Sequence, residues 1–135
     1  MNSPTHFQQL LRAAAAEPEP QRLLFVFAAA ELPPDATPQQ RERFEAGQGG
    51  ALTPAACVDK AVDDVSSFEA LVAESRYASP PWQVVFIVGL SGQGGRAPSP
   101  AQVDGALQTM IENVRAGRFG GLLALGPDGE PLSFS

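Results

Sequence analysis

Apolar and polar positions along this chain alternate between helical and strand-like spacing. Phe7, Leu10 and Leu11 recur at helical spacing and predict a first helix that ends before Pro18. The apolar run Leu23–Ala30 is short and unbroken, which is typical of a central strand buried on both faces. The chain therefore opens with a helix followed by a strand.

The middle of the chain is more polar and predicts shorter elements. Thr37–Gln40 has the residue types of a capping box and opens a short surface helix. Gly47–Pro54 predicts a loop, and Ala56–Lys60 a brief strand. Ser66–Glu69 has a second capping-box pattern, which begins a helix that reaches about Tyr77.

The stretch Gln83–Gly117 has the clearest pattern. The apolar strand Val84–Val88 leads into a glycine-rich loop, after which Ser99 caps a long helix. The helix carries one apolar stripe, made of Val103, Leu107, Met110, Ile111 and Val114. This strand, loop and helix favour an α/β fold.

The C-terminal residues predict a β-hairpin with arms Gly121–Leu125 and Leu132–Phe134 around a turn at Gly126–Gly129. With the earlier elements this predicts one small domain over residues 1–135, of α/β class with α+β as the alternative. We expect a single mixed sheet of four or five strands with packed helices. The strand–helix–strand order favours parallel neighbours joined by right-handed crossovers.

Composition narrows the classes of partner. The net charge of -6 and the scattering of nine cations argue against binding to nucleic acid or to an anionic membrane. No signal-peptide pattern is evident in Met1–Ala16, and the longest apolar runs are too short to span a bilayer. A cytoplasmic protein is expected, and the abundance of Arg, Ala, Pro and Gly favours a bacterial source with GC-rich codons.

The loop Gly89–Ser99 is the candidate small-ligand site. A glycine-rich turn before a helix N-terminus presents amide donors to an anion. The ligand-binding residues would be Gly92, Gly94, Gly95, Arg96 and Ser99. Neither nucleotide fingerprint is complete, because Pro98 and Pro100 stand where a phosphate loop has its lysine, and Ala97 replaces the third glycine of the dinucleotide pattern. A flexible connection is the commoner role of such a loop.

Cys57 and His6 are single residues of their types. A reactive thiol at Cys57 would need a base or cation partner, and His6 is predicted on a separate, exposed helix. One cysteine cannot form an internal disulfide, and one histidine cannot complete a metal site alone. No catalytic residue, cofactor or metal is therefore predicted. A thiol enzyme at Cys57 is the least favoured of three possible functions, the other two being a protein-interaction module and a small-anion binder.

Three segments, Arg22–Phe27, Phe44–Pro54 and Cys57–Lys60, resemble a small family of bacterial proteins of unknown function. Some members carry the automatic name "ribonucleotide reductase subunit alpha". That activity is not expected here, because radical ribonucleotide reduction needs a radical-bearing cysteine and a redox-active cysteine pair. The resemblance draws attention to the segment 47–60, since a long structured loop in a compact domain is often functional.

Since no catalytic arrangement emerges, the sequence favours a non-catalytic protein-interaction or accessory module, for which a homodimer is one form. Tyr77 and Trp82 flank the Pro80–Pro81 corner, and Phe44 stands on a polar helix, so all three are candidate interface anchors. The alternative function is a small-anion or metabolite binder at the glycine-rich loop.

Overall fold

The computed structural model describes residues 5–32, 35–45 and 51–132, apart from the side chains of Phe44 and Ala51. These residues form, in order, α1 (His6–Ala16), β1 (Gln21–Glu31), α2 (Pro38–Glu45), β2 (Ala51–Ala61), α3 (Phe68–Ala78), β3 (Val84–Ser91), α4 (Pro100–Arg115) and β4 (Leu123–Leu125). A single 3-10 turn, Val62–Asp64, joins β2 to α3. The brief strand predicted at Ala56–Lys60 is therefore the second half of an 11-residue strand.

The four strands form one sheet in the order β2-β1-β3-β4, and every neighbouring pair is antiparallel. The domain is thus α+β, and the predicted mixed sheet with parallel neighbours is wrong. The reason is the central place of β1. Because β2 and β3 are both antiparallel to β1, they run in the same direction, but β1 separates them. The alternation of strands and helices therefore does produce parallel strands, yet not adjacent ones.

Both faces of the sheet are covered by helices. On one face α1 and α3 enclose a core that includes Phe7, Leu23, Phe25, Phe27, Phe68, Leu71, Val72, Val85, Ile87 and Leu125. On the other face α4 packs on a second core that includes Leu24, Val26, Ala28, Phe86, Val103, Leu107, Met110 and Val114. Every residue from Leu23 to Ala28 is buried, which confirms β1 as the predicted central strand.

Local capping sets where the helices begin. Ser99 and Gln102 form the predicted capping box at the start of α4, with the Ser99 hydroxyl accepting from the Gln102 amide at 3.2 Å. Thr5 caps α1 in the same way. The cap of α3 is Ser67, one residue later than the capping-box pattern predicts.

The C-terminal turn forms as predicted, with Gly129 at φ +83°. Its first arm is β4, and the second arm reaches β4 through an isolated bridge between Leu125 and Pro131. The Leu132 amide also donates to the carbonyl of Ala124 at 2.9 Å. The remainder of the predicted second arm, residues 133–134, lies outside the described residues, so the hairpin is seen only at its closed end.

Candidate functional site

The glycine-rich loop after β3 closes as a tight two-residue turn. Gln93 and Arg96 exchange two backbone hydrogen bonds of 3.0 Å, while Gly94 and Gly95 have φ of +60° and +78°. Positive φ at both central residues is the requirement of a type I′ turn, so these glycines serve the backbone. A Cβ on Gly92 would lie 1.8 Å from the Arg96 carbonyl oxygen, which requires glycine there as well.

Two donor or acceptor groups of this loop already have partners within the chain. The Gly95 amide donates to Glu19 Oε2 at 2.7 Å, so a carboxylate of the protein occupies the place expected for an anion. The Ser99 hydroxyl accepts from Gln102 as the cap of α4. A ligand anion would therefore have to displace the carboxylate of Glu19.

The shallow cleft beside the loop is acidic. The carboxylates that line it are Glu17, Glu19 and Asp63. Its arginine, Arg22, donates from Nε to Asp59 Oδ2 at 2.5 Å and is thereby neutralised. Arg96 is exposed, and no described residue pairs with its guanidinium. Anion binding at this loop stays a prediction, in surroundings that repel anions.

The two glycine-rich segments adjoin opposite ends of the sheet. Ser91, where β3 leads into the loop, pairs with Gln21 at the start of β1, whereas Ala51 pairs with Glu31 at its end. An 11-residue strand separates these ends by roughly 33 Å. The segment 47–50 itself lies outside the described residues. In an antiparallel sheet the carboxyl ends of adjacent strands do not converge, and the described strand ends that lead to the two segments, Ala51 and Ser91, lie at opposite ends of β1.

Cys57 and His6 lie in separate places. Cys57 is exposed on β2, opposite Val26, and lines a cavity between β2 and α3 whose lining contains no Lys, Arg or His. His6 lines another cavity, where the N-termini of α1 and α3 approach the turn at Gly129. Across the described residues no group of three or more His, Cys, Asp or Glu side chains is arranged to hold a metal ion.

β2 forms one edge of the sheet, and no described strand pairs with its outer side. Pro54 and a register shift opposite Phe27 and Ala28 interrupt its first half. From Ala56 to Ala61 the pairing with β1 is regular. Proline and bulges are devices that keep an edge from pairing with other chains, and they are confined here to the first half. The second half presents unpaired backbone donors and acceptors to its surroundings.

A groove runs between this edge strand and α3. Its floor is a cavity of about 130 Å³, lined mainly by Phe27, Ala56, Val58, Leu71, Ser75 and Ala78. Ser75 is buried, but its hydroxyl donates to the Val72 carbonyl at 2.7 Å and accepts from Trp82 Nε1 at 2.8 Å. Glu74 also lines the cavity but is bound to Lys60, so the surface that the cavity offers is mainly apolar.

The pair Lys60–Glu74 bridges the groove from β2 to α3. Beyond this bridge a second, smaller depression continues along the same flank, lined by Asp64, Ser67 and Ala70 among others. The groove is thus divided into an apolar part near the C-terminal end of α3 and a polar part near its N-terminal end.

The structure separates the predicted aromatic anchors. Tyr77 is 95% exposed on α3, next to Glu74 but on the solvent-facing side of the helix, opposite the buried residues Leu71 and Ser75. Trp82 is half-buried, with its ring 5.0 Å from that of Phe27 and its indole N–H bound to Ser75. The side chain of Phe44 lies outside the described residues. Tyr77 is therefore an exposed aromatic on the outer side of α3, while Trp82 belongs to the edge of the core.

No family model, curated protein or solved structure matches this chain. None of the helices in the described part of the chain has the length and apolar character that a membrane crossing requires.

Proposed function

We propose that this protein is a non-catalytic interaction module that binds an extended segment of a partner protein along the outer edge of β2. The observation that supports this is the unpaired, regular stretch Ala56–Ala61 at the edge of the sheet. A segment added there would form a fifth strand, with main-chain hydrogen bonds supplying affinity and alternate side chains supplying specificity.

The opposite edge of the sheet is less suited to this role. β4 has 3 residues, and the chain after its turn already bonds to Leu125 and Ala124. An added strand there would compete with the protein's own backbone. β2 is longer and is covered by no described strand, so it is the edge that we assign to the partner.

The composition supports the cellular setting that goes with this proposal. We place the protein in the cytoplasm of a bacterium, since one cysteine suits a reducing compartment and the Arg- and Ala-rich composition suits a GC-rich genome. In that setting the thiol of Cys57, which lies on the binding edge, would stay reduced.

A selection from a displayed library of random linear peptides tests the proposal. Cys57→Lys places a charged side chain on the edge, and Gln108→Lys adds the same charge on the exposed surface of α4 as a control. We expect wild type and Gln108→Lys to retain the selected peptides equally, and Cys57→Lys to bind them at least tenfold more weakly. Selected peptides that bind Cys57→Lys as tightly as wild type would refute the edge as the binding site.

Light scattering on the free protein tests whether a second copy takes the place of the partner. We expect a monomer, because two copies that each carry a net charge of -6 repel one another. A dimer that Cys57→Lys dissociates would show that the edge binds a second copy and would overturn the assignment to a separate partner.

A further inference from the structure

We propose that the partner segment inserts one aliphatic side chain into the cavity between β2 and α3, and that the residues flanking this anchor are net positive. This inference rests on the proposed function and specifies the chemistry of the partner. It follows from the volume and lining of the cavity, the alternation of side chains along β2, and the charges around the groove.

The cavity has the size of a side-chain pocket. Its volume of about 130 Å³ lies well below the roughly 300 Å³ at which pockets for drug-sized ligands begin. Phe27, Val58, Leu71 and Ala78 provide most of its lining. The carboxylate of Glu74, which also lines it, is bound to Lys60, and the buried hydroxyl of Ser75 has both its donor and its acceptor roles filled. The pocket therefore favours an aliphatic group and offers no polar atom in need of a partner.

The strand register places a bound residue at the mouth of this pocket. Successive side chains of a strand point to opposite faces, so Ala56, Val58 and Lys60 share the face that carries α3. This is confirmed by the packing of Ala56 and Val58 against the α1–α3 core and by the bond from Lys60 to Glu74. On a segment paired with β2, the residue opposite Ala56 or Val58 directs its side chain to the same face, beside the cavity.

The charges around the groove favour a basic partner. In its polar part Lys60 and Glu74 neutralise each other, which leaves the negative charge of Asp64, and the protein as a whole carries a net charge of -6. A segment with Lys or Arg beside the anchor is attracted by this field and associates faster at low salt, whereas an acidic segment is repelled.

Tyr77 stands next to Glu74 on the outer, solvent-facing side of α3. The residue is 95% exposed, and no described residue packs over it. Exposed tyrosines of this kind are common anchors of protein interfaces. A long Lys or Arg side chain of the bound segment that extends past Glu74 can stack on the face of this ring.

Matched peptides and variants test the inference. The probe is a peptide from the library selection, in its original form and with its aliphatic anchor replaced by alanine. Ala78→Leu fills the cavity mouth at an exposed helical position where leucine is well tolerated. We expect this variant to bind the original peptide at least tenfold more weakly than wild type does, and both proteins to bind the alanine peptide with equal, weak affinity.

Tyr77→Ala offers a second test at a position where the fold is not at risk, with Gln108→Ala on α4 as its control. We expect a loss of at least fivefold in affinity for Tyr77→Ala and none for Gln108→Ala, with melting temperatures unchanged. Raising the salt concentration should slow association of the peptide with wild type.

The outcomes separate the two proposals. If no linear peptide is retained by wild type, the proposed function itself fails. If peptides bind wild type and bind Cys57→Lys more weakly, the edge is the binding site. The anchor inference is nevertheless overturned if these peptides share no aliphatic residue, or if neither Ala78→Leu nor Tyr77→Ala changes their affinity. Selected peptides with a net negative charge would overturn the basic preference.

Discussion

The ammonium group of Lys60 lies 3.0 Å from each carboxylate oxygen of Glu74, and this pair joins the edge strand β2 to α3. The two side chains are 20% and 55% exposed, so the pair sits at the surface of the groove. Glu74 lines both the apolar cavity and the polar depression, so the pair marks the boundary between the two parts of the groove.

Glu74→Gln should cost little stability. Exposed ion pairs contribute about 0–1 kcal/mol because solvent screens them. We therefore expect the free energy of unfolding to fall by an amount within that range, and by less at high salt. Urea denaturation at low and high salt measures it, with Glu42→Gln, an exposed carboxylate within α2, as a control outside the pair. A loss well above 1 kcal/mol would mean that the pair is a major element of the fold.

Ser75→Ala should be more damaging than its small size implies. The hydroxyl of Ser75 is buried and accepts from Trp82 Nε1, so its removal leaves a half-buried indole N–H without a partner. We expect a loss of about 1–3 kcal/mol in the free energy of unfolding. The double variant with Trp82→Phe should lose less than the sum of the single changes, because the two residues interact directly. Additive losses would contradict this.

Two glycine-to-alanine changes should act in opposite directions. At Gly92 the added Cβ meets the Arg96 carbonyl, so Gly92→Ala should lower the free energy of unfolding by about 1–3 kcal/mol or more. At Gly105, an exposed position away from the ends of α4, an added Cβ meets nothing within 4 Å. Gly105→Ala should therefore raise stability by about 0.5–1 kcal/mol. Thermal and urea denaturation measure the stability of both variants. A Gly92→Ala variant as stable as wild type would contradict the close approach of Gly92 to the Arg96 carbonyl.

Phosphate should not raise the melting temperature of wild type. The Gly95 amide is bound to the carboxylate of Glu19, and the surrounding cleft is acidic. Glu19→Gln removes the competing charge and is the variant in which weak anion binding should first appear. A phosphate-dependent rise in wild type that Arg96→Ala abolishes would instead support the anion-binding alternative, because a bound ligand stabilises the folded state.

Strong local patterns made much of the fold predictable. The apolar run Leu23–Ala30 predicts β1, and Ser99 predicts the start of α4. Both predictions succeed because burial on two faces and helix capping depend on residues that are close together in the sequence. The length of β2 was missed, since Gly49, Gly50 and Pro54 are typical of a loop. An edge strand tolerates such a proline because its outer amides need no partner within the sheet.

The direction of the strands and the interaction surface could not be predicted from local patterns. Nothing in the alternation of elements reveals that β1 separates β2 from β3. In the sequence Tyr77 and Trp82 are equivalent candidates, since both are aromatic residues that flank the same proline corner. Only the packing of Trp82 on Phe27 and Ser75 distinguishes them. The groove joins residues of β2 and α3 that become neighbours only through the tertiary fold.

Amide hydrogen exchange of β2, measured with and without a selected peptide, tests the central claim most directly. Edge amides that point away from β1 exchange readily in the free protein, and a fifth strand would occupy them. We predict that alternate amides between Ala56 and Ala61 slow markedly on binding, while those of the loop Gly92–Ser99 do not change. Protection of that loop, or binding that leaves every amide of β2 unprotected, would contradict the account.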